Sequence, residues 1–172
     1  MNFHTLILER ESIRSYNIKR KIPKDTLNRI LNAGRLAPSA GNRQPWEFLL
    51  VSSEEMLGKI RPCYKAGWFK EAPHILIVKG YKDKAWTRAD DGYNALETDL
   101  TIAMDHMILA AEYENIGTCW IAAFTPEILR KALELKDNEE IFAITPLGYY
   151  MDGFQKKADK KRKPFEEVVK FI

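Results

Sequence analysis

The sequence predicts an α+β fold, a mixed sheet flanked by helices, and three observations carry that expectation. Residues 74–80 read His-Ile-Leu-Ile-Val-Lys-Gly, a short apolar run of the buried-strand type. Residues 95–115 repeat apolar side chains at helical spacing over a much longer stretch. Shorter segments of both kinds are interspersed along the chain instead of being grouped by type. The chain has 172 residues, 45% of them apolar and 30% charged. That is enough for one domain, residues 1–172, to bury a core without disulfides.

The elements follow in order. Phe3, Leu6, Ile7 and Arg10 suggest a short N-terminal helix. Asp25 reads as the cap of a second helix, with Leu27, Ile30, Leu31, Gly34 and Ala37 on one face and Pro38 as its stop. Residues 38–45 form a loop and residues 48–51 a buried strand. Ser53 caps a short helix with Glu55 in its first turn. Residues 74–80 are the next strand, and 81–94 a polar, aromatic loop. In the long helix Leu96, Leu100, Ala103, Met107 and Ala110 share a face, and Gly117 lies just past its end. Its small and flexible residues, Ala103, Met104, Met107, Ala110 and Ala111, suit either a partner helix or an internal core. Residues 118–123 read as a third strand. Thr125-Pro126-Glu127 supplies a cap, a first-turn proline and a dipole-matched acid for a fourth helix. Residues 141–150 form the last strand, with Pro146 pointing to an edge or a bulge.

Several function classes are excluded or disfavoured. Lys and Arg number 27 against 24 Asp and Glu, a net charge of +3 that does not mark a nucleic-acid protein. No stretch approaches the roughly 20 apolar residues that span a bilayer. Residues 1–10 lack a signal-peptide pattern, because Glu9 and Arg10 interrupt a short apolar run. The expected location is cytoplasmic, without membrane or nucleic-acid partners. Cys63 and Cys119 are read as two buried thiols, and His4, His74 and His106 lack metal-ligand spacing. No dinucleotide fingerprint, phosphate loop or nucleophile elbow occurs.

Three segments stand out. In Arg10-Glu11-Ser12-Ile13-Arg14-Ser15-Tyr16, an extended chain would turn Arg10, Ser12 and Arg14 to one side. Two guanidinium groups and a hydroxyl there suit a phosphate; the plainer alternative is a surface stretch paired with Glu9 or Glu11. Residues 37–46, Ala-Pro-Ser-Ala-Gly-Asn-Arg-Gln-Pro-Trp, form a loop able to bring backbone close to something flat, or simply a helix-to-strand connection. Residues 156–163 carry six basic side chains in eight and end in Lys160-Lys161-Arg162-Lys163-Pro164-Phe165. They could bind phosphate or nucleic acid, or be a solvated or disordered tail.

The ordered set resembles the nitroreductase family of flavin enzymes. It comprises Arg10-x-Ser12-x-Arg14-x-Tyr16, Ala37-Pro38-Ser39-Ala40-Gly41-Asn42-x-Gln44-Pro45-Trp46, Gly117-Thr118-Cys119-Trp120-Ile121, Pro146-Leu147-Gly148-Tyr149, and Arg162-Lys163-Pro164-Phe165-Glu166-Glu167-Val168-Val169. The resemblance implies a homodimer with two FMN molecules at its interface. It assigns Arg10, Ser12 and Arg14 to the flavin's phosphate, ribityl chain and pyrimidine edge. Pro38, Ser39, Ala40 and Asn42 would reach the flavin of the other protomer. Trp120, Ile121, Ala122 and Ala123 would lie against the isoalloxazine near N5, and Lys160 and Arg162 would reach the phosphate. Residues 156–172 would extend over the partner.

The implied chemistry is a ping-pong transfer of electrons from NADH or NADPH, through FMN, to a small flat acceptor such as a nitroaromatic or quinone. The flavin carries the reaction, so no catalytic side chain is implied. The alternative is a flavin-binding sensor or sequestering protein without efficient turnover. Ala122 stands where many relatives carry glycine, and Tyr150 where proline often follows Leu-Gly-Tyr. If position 122 required a positive φ, alanine there would be strained. The chain is short for the family, and the 81–94 loop, with Trp86 and Arg88, is the segment expected over the site.

Overall fold

A computed structural model describes residues 1–157 and 160–172. Its order is α1 (Phe3–Glu9), α2 (Lys24–Arg35), β1 (Trp46–Val51), α3 (Glu54–Ile60), β2 (His74–Tyr81), α4 (Leu96–Tyr113), β3 (Gly117–Thr118), α5 (Pro126–Ala132), β4 (Glu139–Gly148) and α6 (Phe165–Val168). The four strands form one sheet in the order β1-β2-β4-β3, every pair antiparallel. The fold is α+β.

Strand β2 lies inside the sheet, and residues 74–80 are all buried, as a continuous apolar run demands. Its alternate side chains feed two cores. Leu76 and Val78 join Leu27, Ile30, Leu100, Met104 and Met107 under α2 and α4. Ile75 and Ile77 join Leu57, Ile60, Phe69 and Leu129 under α3 and α5. Ala103, Met104, Met107 and Ala111 are buried in this chain's own core, while Ala110 stays half-exposed on the other side of α4. Helix α2 packs closely on α4: a Cβ on Gly34 would lie 2.7 Å from Met107 Cγ.

Four local expectations are corrected. Pro23, not Asp25, occupies the N-cap of α2; Asp25 sits in the first turn, where its charge matches the dipole. Thr125 is the N-cap of α5 but makes no side-chain capping bond. The strand expected over 118–123 ends at Thr118 and touches the ladder again only at Ile121, which pairs with Ile144. Pro146 lies on an interior strand, not at an edge. Ile144 exchanges both backbone bonds with Ile121, so alternation turns position 146 to the same side. There the chain has left the ladder, and the Cys119 N–H donates to Thr145 Oγ1 at 3.0 Å instead. The Cys119 N–H is thereby satisfied outside the ladder. The sheet's register shift falls at Val78/Lys79.

Ser53 caps α3 through an Oγ contact with the Met56 N–H. Cys63 and Cys119 are free and buried. Among the described residues no helix is long and apolar enough to cross a membrane.

Candidate functional site

Helix α1 ends at Arg10, where ψ of 124° turns the chain extended. Ser12 then pairs in parallel with Thr118, and the Ile13 N–H donates to the Thr118 carbonyl at 2.7 Å. The opening motif thus adds to the sheet beside β3. Ile13 is fully buried, and so is Tyr16, whose hydroxyl donates to the Ile13 carbonyl at 2.7 Å. Burial raises the Tyr16 phenol well above its usual pKa. With Ile13 turned inward, Ser12 and Arg14 are exposed and Arg10 is half-exposed.

The segment after β4 returns to this motif. Phe154, Gln155 and Lys157 close a cavity of about 440 Å³ with Glu11, Ser12, Arg14 and Ser15. The Lys157 N–H donates to the Glu11 carboxylate at 3.2 and 3.3 Å. Lys156 pairs with Glu112, a buried carboxylate that also accepts from the Tyr150 hydroxyl at 3.3 Å. Ala158 and Asp159, within the basic run, lie outside the described residues. Lys160 Nζ donates to the Ile7 carbonyl at 2.8 Å, and Arg162 Nη1 to the Lys161 carbonyl at 2.8 Å. Burial, then the charges of Arg10 and Arg162, push the Lys160 ammonium below its usual pKa. The carboxylates of Glu112 and Glu11 act on Lys160 in the opposite sense, so cations and acids are mixed at this end of the motif.

The loop between α2 and β1 is tightly determined. Gly41, Asn42 and Gln44 all have positive φ, at 58°, 54° and 48°. The Gln44 N–H donates to Ser39 Oγ at 2.9 Å and the Asn42 N–H to the Ser39 carbonyl at 2.9 Å. The Ala40 N–H donates to Asp99 Oδ1 on α4, also at 2.9 Å. Pro38 and Asn42 are exposed, Ser39 and Ala40 half-exposed. None of these residues lines the cavity beside Arg14 in the same chain. Trp86 of the 81–94 loop lies against Gly41: a Cβ there would be 3.4 Å from Trp86 Cδ1.

After Thr118 the chain runs past a half-exposed Trp120, set edge-on to Phe142, and a buried Ile121. Ala122 and Ala123 are exposed, and among the described residues neither N–H has a backbone partner. Ala122 does not adopt a positive φ, so the glycine of many relatives is not required for this backbone. Short side chains and free N–H groups make this a surface that a flat ring can approach, with donors to spare.

One chain thus brings Ser12 and Arg14 together with Lys157, sets Lys160 against the end of α1 that leads into Arg10, and places the 120–123 segment next along the sheet. It keeps Pro38, Ser39, Ala40 and Asn42 apart from them. Sequence reasoning missed Ser15, Gln155, Lys157 and Asp99. Ser15 and Lys157 lie inside segments already singled out. Gln155 and Asp99 carry no local signal, being an ordinary glutamine and an ordinary helix acid.

The Nitroreductase family model matches residues 7–64 and 58–149. The chain belongs to the Nitroreductase family. Within it, the chain is 33% identical over 151 residues to an Archaeoglobus fulgidus protein provisionally named NADH dehydrogenase/NAD(P)H nitroreductase, covering 86% of this chain and 84% of the relative. A nitroreductase family protein from Clostridium difficile 630 matches in structure with a TM-score of 0.90 and 35% identity, over 99% of this chain and 98% of the other. An FMN-dependent nitroreductase from Clostridium difficile R20291 matches with a TM-score of 0.81 and 26% identity, over 96% of each chain. Nitroreductase relatives thus cover the opening motif, the 38–46 loop and the strands that carry them.

Proposed function

We propose that this nitroreductase-family chain binds FMN and acts as an NAD(P)H-dependent oxidoreductase. One observation carries the reading: Ser12 and Arg14 of the extended motif line a cavity with Ser15 and Lys157, and Lys160 of the tail reaches back to the Ile7 carbonyl at the end of α1. The donor set fits FMN. Arg10, Lys160 and Arg162 would neutralise the phosphate dianion. Ser12 and Arg14 would hydrogen-bond the polar chain and ring edge beyond it. Ala122 and Ala123 offer backbone donors, with Trp120 and Ile121 beside them. The FMN-dependent nitroreductase named above supports the same cofactor.

When bound, the flavin supplies electron exchange between NADH or NADPH and a small flat acceptor such as a nitroaromatic or quinone, taken in ping-pong order. The protein's own contribution is position, charge and access. No side chain is assigned as acid, base or nucleophile. Pro38, Ser39, Ala40 and Asn42 serve the site of the partner in a homodimer. Two features support that assembly: a half-exposed stripe on α4 (Ile102, His106, Leu109, Ala110) and exposed tail residues Phe165, Val168, Phe171 and Ile172. The tail, residues 156–172, extends over that partner, and residues 1–172 act as one domain in the cytoplasm.

The test is an absorption spectrum of the FMN-reconstituted protein before and after anaerobic NADH or NADPH. Flavin bands that bleach support the reductase. Bound flavin that stays oxidised favours a sensor or sequestering protein, and a protein that takes up no flavin refutes the reading.

A further inference from the structure

We infer that Asp99 is a positioning residue that holds the Pro38–Asn42 loop in its strained shape for flavin contact. The loop carries three left-handed residues within four, Gly41, Asn42 and Gln44, and two of them have a Cβ. Such backbone persists only when its surroundings determine it from several sides. Within the loop, Ser39 supplies two acceptors. From outside, Tyr81 donates its N–H to the Pro45 carbonyl at 2.9 Å and Trp86 packs on Gly41. Among the described residues, Asp99 is the only side chain outside the loop that hydrogen-bonds to it, through the Ala40 N–H.

The placement of Asp99 is costly for a merely structural acid. Its side chain is on the first turn of α4 and only 2% exposed. Oδ1 accepts one bond, and Oδ2 is buried without a partner. Burial raises the carboxyl's pKa, and the Ala40 N–H opposes that rise. A buried carboxylate with a single partner is tolerated where that partner matters, and the N-terminal dipole of an 18-residue helix helps to keep it charged. Its one bond ends on the residue between Ser39 and the left-handed Gly41. Losing it frees the loop from α4 while leaving the sheet and both cores intact.

The link to flavin rests on the FMN reading above, so the test separates the tether from the cofactor. Two variants are compared with the parent: Asp99→Asn, which keeps the Oδ1 acceptor, and Asp99→Val, which removes it at similar size. The first readout needs no flavin. Arg43 is exposed within the loop, and trypsin cleavage after it in the apo protein reports how firmly the loop is held. The expected result is cleavage at least tenfold faster in Asp99→Val and within twofold of the parent in Asp99→Asn. Unchanged cleavage in a folded Asp99→Val would overturn the tether whatever the cofactor.

The second readout is FMN affinity by fluorescence titration. It is expected to fall about tenfold in Asp99→Val and to be restored in Asp99→Asn. Faster cleavage with unchanged FMN affinity would overturn the flavin role of the loop. If Asp99→Val fails to fold, Asp99→Ser, whose shorter side chain cannot reach the Ala40 N–H, takes its place under the same criteria. A parent protein without measurable FMN affinity would refute the functional reading while leaving the cleavage result standing.

Discussion

At the scale of the residue, the site is a question of charge and of which way each side chain faces. Arg14 lines the cavity with no side-chain partner among the described residues, so it is free to hold a ligand. Arg14→Ala is expected to weaken FMN binding by about 1.5–3 kcal/mol, the worth of a charged hydrogen bond. A titration giving unchanged affinity would refute its role. Arg162 is assigned to the phosphate, so Arg162→Ala should weaken FMN but leave riboflavin binding nearly untouched. Equal losses for both flavins would count against that contact. The grouping of Arg10, Ser12 and Arg14 on one side was legible because an extended chain has a period of two, which needs no tertiary information. Asp99 was not legible. An acid in the first turn of a helix is ordinary, and only the fold reveals that this one is buried against the loop.

At the scale of the element, closeness of backbones sets the tolerances. A Cβ on Gly80 of β2 would lie 2.6 Å from Leu96 Cδ1 and 2.8 Å from the Pro45 carbonyl oxygen, a backbone atom with little room to yield. Gly80→Ala should therefore destabilise the protein by about 1–3 kcal/mol, as overpacking does, and urea unfolding measures it. A loss under a few tenths would mean that the 38–45 loop moves freely. The helices were readable because apolar spacing at 3.6 residues survives without context, as α2 and α4 show. The strand expected over 118–123 was not. Its apolar run is real, but Cys119 turns to Thr145 and the ladder lapses there. The lapse is set by Pro146 on the neighbouring strand, a residue remote in sequence. Pro146 itself misled in the same way: its missing donor suggested an edge, whereas it faces a gap inside the sheet.

At the scale of the whole molecule, assembly and pH are the measurable properties. The homodimer predicts a light-scattering mass of about twice 19.9 kDa, and removal of the tail from Phe165 onward should shift it toward the monomer. A monomeric full-length protein would refute the interface. The acid limb of stability belongs in part to Glu139. Hydrogen bonds from Lys79, at 2.5 Å, and from the Lys136 N–H hold its carboxyl at about 2, below its usual 4.5. A lowered pKa means that this stabilisation is present above about 4.5 and is lost as pH falls toward about 2. Glu139→Gln should flatten the melting temperature across that window, and an unchanged slope would remove Glu139 from the account.

The pairing of Ser12 with Thr118, and of Tyr16 with Tyr150, has a consequence for biosynthesis. The opening motif is synthesised well before the residues that seat it. At about 5–20 residues per second, residues 12 and 16 wait roughly 5–30 s for their partners to emerge. During that interval the two arginines are present but Ile13 and Tyr16 have no core to enter. Flavin capture by the opening motif would therefore wait on residues 118–150, and a fragment ending before Thr118 is expected not to take up FMN.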